Sequence, residues 1–351
     1  LLPQTMRVRE GTEITGGNVR VEFVGAEHDG ARRWTGLVTL AGLSAINDRR
    51  AVSWEIPLES RFQAHRDRDG GQVIVDQLTC QSDFLQLKGS GTLEDAKFRL
   101  DGDLTRLQQN LERFVDLGHE QLAGRMRAEG TIWSDKVEHV KLTSTVSLDD
   151  FAYVLSKEKM WREQHLELTA AATGQMDETR QLTRINAGLV RLKSDGDSLE
   201  LMLQKPVDLS AKESLYSATA KGNGRLTTWQ NRLRPFVEVP DWRLAGNIDL
   251  AAVVTCSSQQ VSVSQLNIAL EQLEARGPQW LVQEQQTRLE TSGMWDVAAR
   301  TLTSPKTTLT GPSLACEVEN LVCVLGPTGL TKLTGEATYR ADLKQISRWK
   351  D

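Results

Sequence analysis

The amino-acid sequence predicts a mainly β protein, built of elongated, repetitive antiparallel sheets with short amphipathic helices between the repeats. Three observations support this fold class. One segment of the chain recurs at a fixed spacing, apolar and polar residues alternate with a period of two in many short stretches, and turn-forming residues separate those stretches. Short alternating stretches with turns between them are typical of antiparallel meanders.

The repeat is clearest where residues 104–124 align without a gap on residues 226–246, at an offset of 122 positions (226 − 104). Nine of these 21 positions are identical, including the opening Leu-Thr and the closing Leu-Ala-Gly. A similar opening recurs at 342–346. The repeat therefore predicts a first β unit at 1–102, a second at 103–221, a third at 222–340, and at 341–351 the start of a further helix that is cut short.

Each of the two aligned copies opens with a predicted amphipathic helix, at about 104–117 and at about 226–237. Leu104, Leu107 and Leu111 recur at the spacing of one helix face. In the second copy Pro235 predicts a kink or an early end, because proline cannot donate the helical hydrogen bond.

The clearest strand runs from Val140 to Leu148, where apolar residues alternate with Lys, Thr and Ser. Further alternating stretches lie at 19–23, 166–172, 199–203, 261–263 and 314–318, and Gly-containing turn signals lie at 69–71, 195–197, 221–224 and 326–329. Each predicted sheet therefore has one apolar face. These faces could form the core of closed sandwiches, or they could line an open curved groove, and the alternation itself is compatible with both.

Composition and motifs argue against several classes of function. A formal net charge of -5 is unlike the basic excess of a nucleic-acid-binding protein. The five histidines have no His or Cys at metal-ligand spacing, and no nucleophile or phosphate-binding motif is present. We therefore expect no catalytic site, no metal site and no cofactor, with the histidines at the surface. A cross-strand disulfide between Cys316 and Cys323 is left open, beside free thiols.

Three segments carry a resemblance to a known family. Residues 85–93 read as a strand ending in a Gly-Ser-Gly turn, residues 98–104 end in the Gly-Asp-Leu of a helix start, and residues 122–132 open the next strand with Leu-Ala-Gly. Versions of this succession recur around 220–254 and 333–346. In this order of features the chain resembles the AsmA-like and TamB-like envelope proteins of double-membraned bacteria.

The resemblance implies a repeating, curved β-groove of the lipid-transfer type, without enzymatic activity. It implies a protein that binds or bridges phospholipid or another acyl lipid, in lipid transport or outer-membrane biogenesis, while the net charge of -5 argues against a nucleic-acid partner. It also implies a periplasmic, cell-envelope location, with an anchor in a longer membrane-anchored chain of which this sequence would be a segment.

If an open groove exists, aliphatic residues of the alternating strands are its candidate lining, and the competing interpretation is that they form a core. The candidates are Val140, Leu142, Val146, Leu148, Leu166, Leu168, Ile268 and Leu270. The alternative function is a structural or adhesive β-repeat scaffold with closed sandwiches, whose surface binds protein or glycan.

Overall fold

The structure is a computed structural model. It describes residues 7–8, 12–47, 50–54, 56–66, 71–92, 94–117, 120–135, 139–156, 159–177, 181–211, 213–236, 242–326 and 329–349. The chain divides into two compact units, Leu1–Ala171 and Ala172–Asp351, and each is described by itself.

The first unit consists of strands with one helix. In chain order they are β1 (Arg7–Val8), β2 (Thr12–His28), β3 (Ala31–Asn47), β4 (Arg50–Trp54), β5 (Leu58–Arg66), β6 (Ile74–Gln81), β7 (Leu85–Gly91), β8 (Asp95–Asp103), α1 (Leu104–Leu111), β9 (Val115–Asp116), β10 (Gln121–Ser134), β11 (His139–Val154) and β12 (Met160–Met176), the last of which continues into the second unit.

Strands that follow one another in the chain pair side by side in this unit. The antiparallel order is β2, β3, β5, β6, β7, β8, β10, β11, and β4 also pairs with β3. The short strands β1 and β9 form a separate two-stranded sheet. The sheet is therefore a meander, as the closely spaced turns predict.

The second unit has the same character. Its elements are β13 (Leu182–Ser194), β14 (Asp197–Leu203), β15 (Val207–Asp208), β16 (Tyr216–Arg225), α2 (Leu226–Leu233), β17 (Arg243–Cys256), β18 (Gln260–Arg276), β19 (Leu281–Asp296), β20 (Thr301–Thr310), β21 (Leu314–Gly326), β22 (Gly329–Ala341) and α3 (Leu343–Ile346), followed by a 3₁₀ turn, Ser347–Trp349.

Its strands pair antiparallel in the order β13, β14, β16, β17, β18, β19, β20, β21, β22, and β15 also pairs with β13. The predicted fold class, mainly β and antiparallel with short helices between repeats, is thus confirmed.

The helices begin where the repeat predicts but are shorter than predicted. α1 ends at Leu111, because the N–H of Phe114 turns back to the Leu111 carbonyl and the chain then enters β9. α2 ends at Leu233, two residues before Pro235, so the early end that Pro235 predicts is confirmed. Part of the predicted second helix, at 237, lies outside the described residues. The predicted units start one to four residues before α1, α2 and α3, at 103, 222 and 341, whereas the compact units divide within β12.

A glutamine near the middle of each helix fastens the helix to the strand that follows. Gln108 accepts a hydrogen bond from the Leu122 N–H, and its amide donates to the Glu120 carbonyl at 3.3 Å. At the repeat-equivalent position 122 residues later, Gln230 accepts from the N–H of Leu244 at 3.1 Å and donates to the carbonyl of Trp242. Both glutamines are buried. We call this arrangement the glutamine clasp.

A glycine bulge follows each clasp. Gly124 has φ of +117° and Gly246 has φ of +112°, and both stand where the strand register shifts. A Cβ on Gly124 would lie 2.8 Å from the Asp149 carbonyl oxygen, and a Cβ on Gly246 would lie 2.6 Å from that of Glu271. Since only glycine adopts this backbone without strain, the closing Leu-Ala-Gly of the sequence repeat has a structural cause.

Few hydrophobic side chains are fully buried. Among the described residues they are Ala45, Ala64, Leu104, Phe151, Leu166, Val207, Leu226, Ala252 and Ala275. Two of these, Leu104 and Leu226, are the repeat-equivalent first residues of α1 and α2. The sheets therefore leave most of their aliphatic side chains only partly covered.

Candidate functional site

The strand register of the first unit gathers its apolar residues on one face of the sheet. In an antiparallel pair, directly opposed residues point to the same side, so a row of opposed residues can be followed from strand to strand. One such row consists of Val21, Val38, Ser60, Cys80, Leu87, Leu100, Ala128 and Val146. We call this side the apolar face of the first unit.

The opposite side is polar and charged, and we call it the polar face. A row one residue away consists of Arg61, Thr79, Lys88, Arg99, Glu129 and Thr145. On this face Asp101 accepts hydrogen bonds from the side chains of Arg127 at 3.0 Å and Arg99 at 3.1 Å. The bond from Arg127, supported by that from Arg99, holds the pKa of the Asp101 carboxyl below its usual value.

Phenyl rings lie flat across glycines on the apolar face. A Cβ on Gly36 would overlap the ring of Phe62, which stands opposite it, and a Cβ on Gly130 would lie 2.7 Å from the ring of Phe98. The rings thus occupy the space that side chains at these glycines would fill. The two rings therefore add aromatic surface to the apolar face at positions where the glycines supply no side chain.

The second unit repeats this separation of faces. One apolar row consists of Leu199, Gly222, Leu250, Ile268, Leu289, Leu309, Cys316 and Tyr339. The neighbouring row on its polar face includes Glu200, Lys221, Asn267, Glu290 and Glu317. Each unit therefore presents one apolar and one polar face.

The eight lining candidates all lie on these apolar faces. Val140, Leu142, Val146 and Leu148 stand opposite Ser134, Ile132, Ala128 and Met126 of β10, and Ile268 and Leu270 stand opposite Leu250 and Ile248 of β17. In β12, His165 bonds Asp149 of the polar face at 2.7 Å, so alternation places Leu166 and Leu168 on the apolar face. The six candidates of β11 and β12 therefore lie on the apolar face of the first unit, and Ile268 and Leu270 lie on that of the second, as the alternation predicts.

Their burial differs. Leu166 is 4% exposed and belongs to the core, whereas Leu142 is 38% exposed and Leu168 is 37% exposed. The other five are half-buried. At the outermost strand β2, Val21 and Phe23 of the same face are exposed by 65% and 62%. The apolar face of the first unit is therefore partly accessible to solvent, most of all at β2.

All four cysteines lie on the apolar faces and are free thiols. Cys316 and Cys323 are on one strand, β21, rather than across a turn, and are seven residues apart. At roughly 3.3 Å per residue their Cα atoms are more than 20 Å apart, so the disulfide left open by the sequence cannot form within the chain. Burial raises the pKa of the Cys80 thiol, which makes it less reactive.

Shallow grooves run along the polar faces of the described residues. One of about 540 Å³ is lined by side chains that include Lys88, Lys97, Arg99 and Glu129. Its lining combines these charged side chains with short hydroxyl side chains such as Thr131 and Thr143.

Three histidines that the sequence leaves isolated pair with aspartates. His65 lies 2.9 Å from Asp76 and His139 lies 3.1 Å from Asp135, besides the His165–Asp149 pair. No group of three or more His, Cys, Asp or Glu side chains in the described part of the chain is placed to hold a metal ion. Sequence reasoning missed these pairs because their members are up to 16 positions apart and lie on different strands in two of the three cases.

Among the described residues, no helix combines the length and apolar character needed to cross a bilayer. Comparisons with known protein families, with curated proteins and with solved structures found no match for this chain.

Proposed function

We propose that this chain binds phospholipid or another acyl lipid on the apolar faces of its sheets, without catalysing a reaction. The observation that carries the proposal is the largely apolar row of each unit, partly open to solvent, on the side opposite a largely polar face. Exposed contiguous apolar surface of this kind marks a site of interaction in a soluble chain.

The energetics favour an acyl chain as the ligand. Covering apolar surface is worth about 25 cal/mol per Å², or roughly 0.8 kcal/mol for each buried methylene group. Val, Leu and Ile side chains impose little directional requirement, so they suit a flexible hydrocarbon better than a ligand that needs fixed polar contacts. The rings that cover Gly36 and Gly130 add hydrocarbon surface to this face.

The resemblance of the sequence to AsmA-like and TamB-like proteins supports a role in lipid transport or outer-membrane biogenesis in the cell envelope. In that role this segment, as part of a longer membrane-anchored chain in the periplasm, would bridge phospholipid between membranes. A closed scaffold that binds protein or glycan is the competing function, and the experiment below separates the two.

The test compares two neighbouring substitutions on β11. Leu148→Glu places a carboxylate on the apolar face, whereas Ser147→Glu places the same group on the polar face, opposite Arg127. The chain and both variants are purified without detergent, incubated with phospholipid vesicles, and analysed by native mass spectrometry, with circular dichroism to monitor folding.

We expect the unsubstituted chain and Ser147→Glu to retain bound phospholipid, and Leu148→Glu to lose most of it while staying folded, because Leu148 is only half-buried. Unfolding of Leu148→Glu would indicate a core position, since an unpaired charge in a core is heavily penalised. A chain that stays free of lipid after incubation would contradict the proposal and favour the scaffold.

A further inference from the structure

The strand β2 has one free edge. It pairs with β3, and no other strand is paired with it within the part of the chain that the structure describes. Its second edge therefore presents unpaired backbone N–H and C=O groups, which can pair with a further strand. Proteins commonly protect such an edge with proline, lysine or a bulge. The register of β2 shifts between Ile14 and Asn18, but the stretch Asn18–Val24 that follows is regular and contains neither proline nor lysine.

The apolar side chains of this stretch also lack cover. Val19, Val21 and Phe23 share the apolar face and are exposed by 64%, 65% and 62%. Leu87 and Leu100 of the same face lie on strands with a neighbour on each side, and they are half-buried. A strand added beside β2 would cover the three exposed side chains, which is worth about 25 cal/mol for each Å² of apolar surface removed from water.

The charges of the stretch complement themselves. Arg20 and Glu22 flank Val21 on the polar face, and their side chains are 71% and 46% exposed. When two copies of β2 are paired antiparallel about Val21, Arg20 of each copy lies directly opposite Glu22 of the other. In the same register Val19 of each copy lies opposite Phe23 of the other. Two opposite-charge pairs and the apolar side chains are then matched across the edge.

The adjacent registers oppose like charges. Directly opposed residues share a face, so the two-fold axis between two identical antiparallel strands passes through a residue and not between two residues. An axis at Arg20 would oppose the two guanidinium groups, and an axis at Glu22 would oppose the two carboxylates. Like charges directly opposite each other destabilise a sheet, so the register about Val21 is favoured over both neighbours.

We propose that two copies of this chain pair edge to edge through β2, antiparallel and centred on Val21. The two-fold axis is perpendicular to the sheet at this residue, so the interface uses the same surface of both copies and closes as a dimer. This symmetry keeps the apolar faces of the two first units on one side and joins them into one surface. The dimer goes beyond lipid binding and does not depend on it.

The first experiment measures the dissociation constant of the full chain by analytical ultracentrifugation over a range of concentrations, without lipid. We expect a reversible dimer. Glu22→Arg places like charges opposite each other twice in each dimer and should weaken association about tenfold. Combining it with Arg20→Glu restores two opposite-charge pairs and should restore the dimer. Circular dichroism shows that the variants stay folded, as substitutions of exposed side chains should.

Cysteine substitution tests the register. In the proposed dimer the two copies of Val21→Cys have Cα atoms about 4.5 to 5.5 Å apart, which is within reach of a disulfide. Val19→Cys is the matched control, because it is equally exposed but lies four residues from its own copy across the axis, at a distance of more than about 10 Å.

Mild oxidation should therefore link Val21→Cys into a covalent dimer and leave Val19→Cys largely unlinked. Peptide mapping by mass spectrometry separates this link from any that involves the four natural cysteines. A chain that stays monomeric at every concentration would overturn the proposal and leave the edge to a strand of another sequence. A dimer that Glu22→Arg does not weaken, or one that links equally well through both substitutions, would overturn it too.

Discussion

At the scale of single residues, a buried ion pair joins the last turn of α2 to the first residue of β14. The guanidinium of Arg232 lies 3.1 Å from the carboxylate of Asp197, and their side chains are 5% and 1% exposed. Asp197 also accepts from the N–H of Arg225 at 2.8 Å, and the guanidinium lies 4.7 Å from the centre of the Trp229 ring. Gly224 belongs to this arrangement, because a Cβ there would overlap the Asp197 carboxylate.

Arg232→Ala should therefore destabilise the chain by about 3 to 5 kcal/mol, because it leaves the Asp197 carboxylate buried without its counter-charge. The measurement is chemical denaturation followed by circular dichroism. Arg243→Ala, an exposed arginine at the start of β17, serves as the control and should cost less than about 0.5 kcal/mol. A loss no larger than that of the control would show that the pair does not hold α2 in place.

The sequence predicts some residues at this scale and not others, for a physical reason. The face of Val146 or Ile268 follows from alternation, which is a property of the strand itself. The Asp197–Arg232 pair joins residues 35 positions apart (232 − 197), and the repeat gives no signal, because position 110 of the other copy is asparagine. In that copy Asn110 bonds the carboxylate of Asp83, so the contact recurs with different chemistry.

At the scale of elements, the glutamine clasp fixes how each helix joins the following strand. Both copies use one amide to bond an N–H and a carbonyl of the strand entry, although the surrounding residues differ. The clasp did have a sequence signal, since Gln108 and Gln230 are identical in an otherwise variable stretch. The helix ends had a weaker signal: Pro235 marks one, but the end of α1 depends on pairing between β1 and β9, which are more than 100 positions apart.

Gln230→Leu should destabilise the second unit by about 1 to 3 kcal/mol, because it leaves the Leu244 N–H and the Trp242 carbonyl without their partner. Denaturant titration measures the loss, and hydrogen exchange should place it at α2 and the start of β17. The exposed neighbour Asn231 provides the matched control, since Asn231→Leu adds the same side chain without removing a bond. Equal effects of the two substitutions would contradict the role of the clasp.

At the scale of the whole molecule, the polar faces make stability depend on pH. The pKa of Asp101 is lowered by hydrogen bonds from Arg127 and Arg99, and that of Glu317 is lowered by the hydrogen bond from Lys306. A carboxyl with a lowered folded-state pKa stabilises the fold above its unfolded pKa, and this contribution is lost as the pH falls through the folded value.

We therefore expect the unfolding midpoint to fall as the pH is lowered below about 4, where carboxyl groups of ordinary pKa become protonated. Asp101→Asn should show a smaller fall than the unsubstituted chain, because one of the groups responsible is gone. The measurement is thermal unfolding between pH 3 and 7, with Glu290→Gln as the exposed control on the other unit's polar face. An unchanged acid dependence in Asp101→Asn would exclude this pair of arginines as the cause.

The pairing of consecutive strands has a consequence for how such a chain can grow. Within each unit nearly every strand borders its neighbour in sequence, so the hydrogen bonds of a hairpin are completed by the hairpins immediately before and after it. Outside the segment between β1 and β9, a duplicated block of about 122 residues could then be inserted at a hairpin without separating distant paired strands, and its first and last strands would find the same partners as the originals. Tandem duplication can therefore lengthen this sheet while preserving its strand pairing, whereas in a Greek-key sheet the same insertion would separate strands that pair with each other.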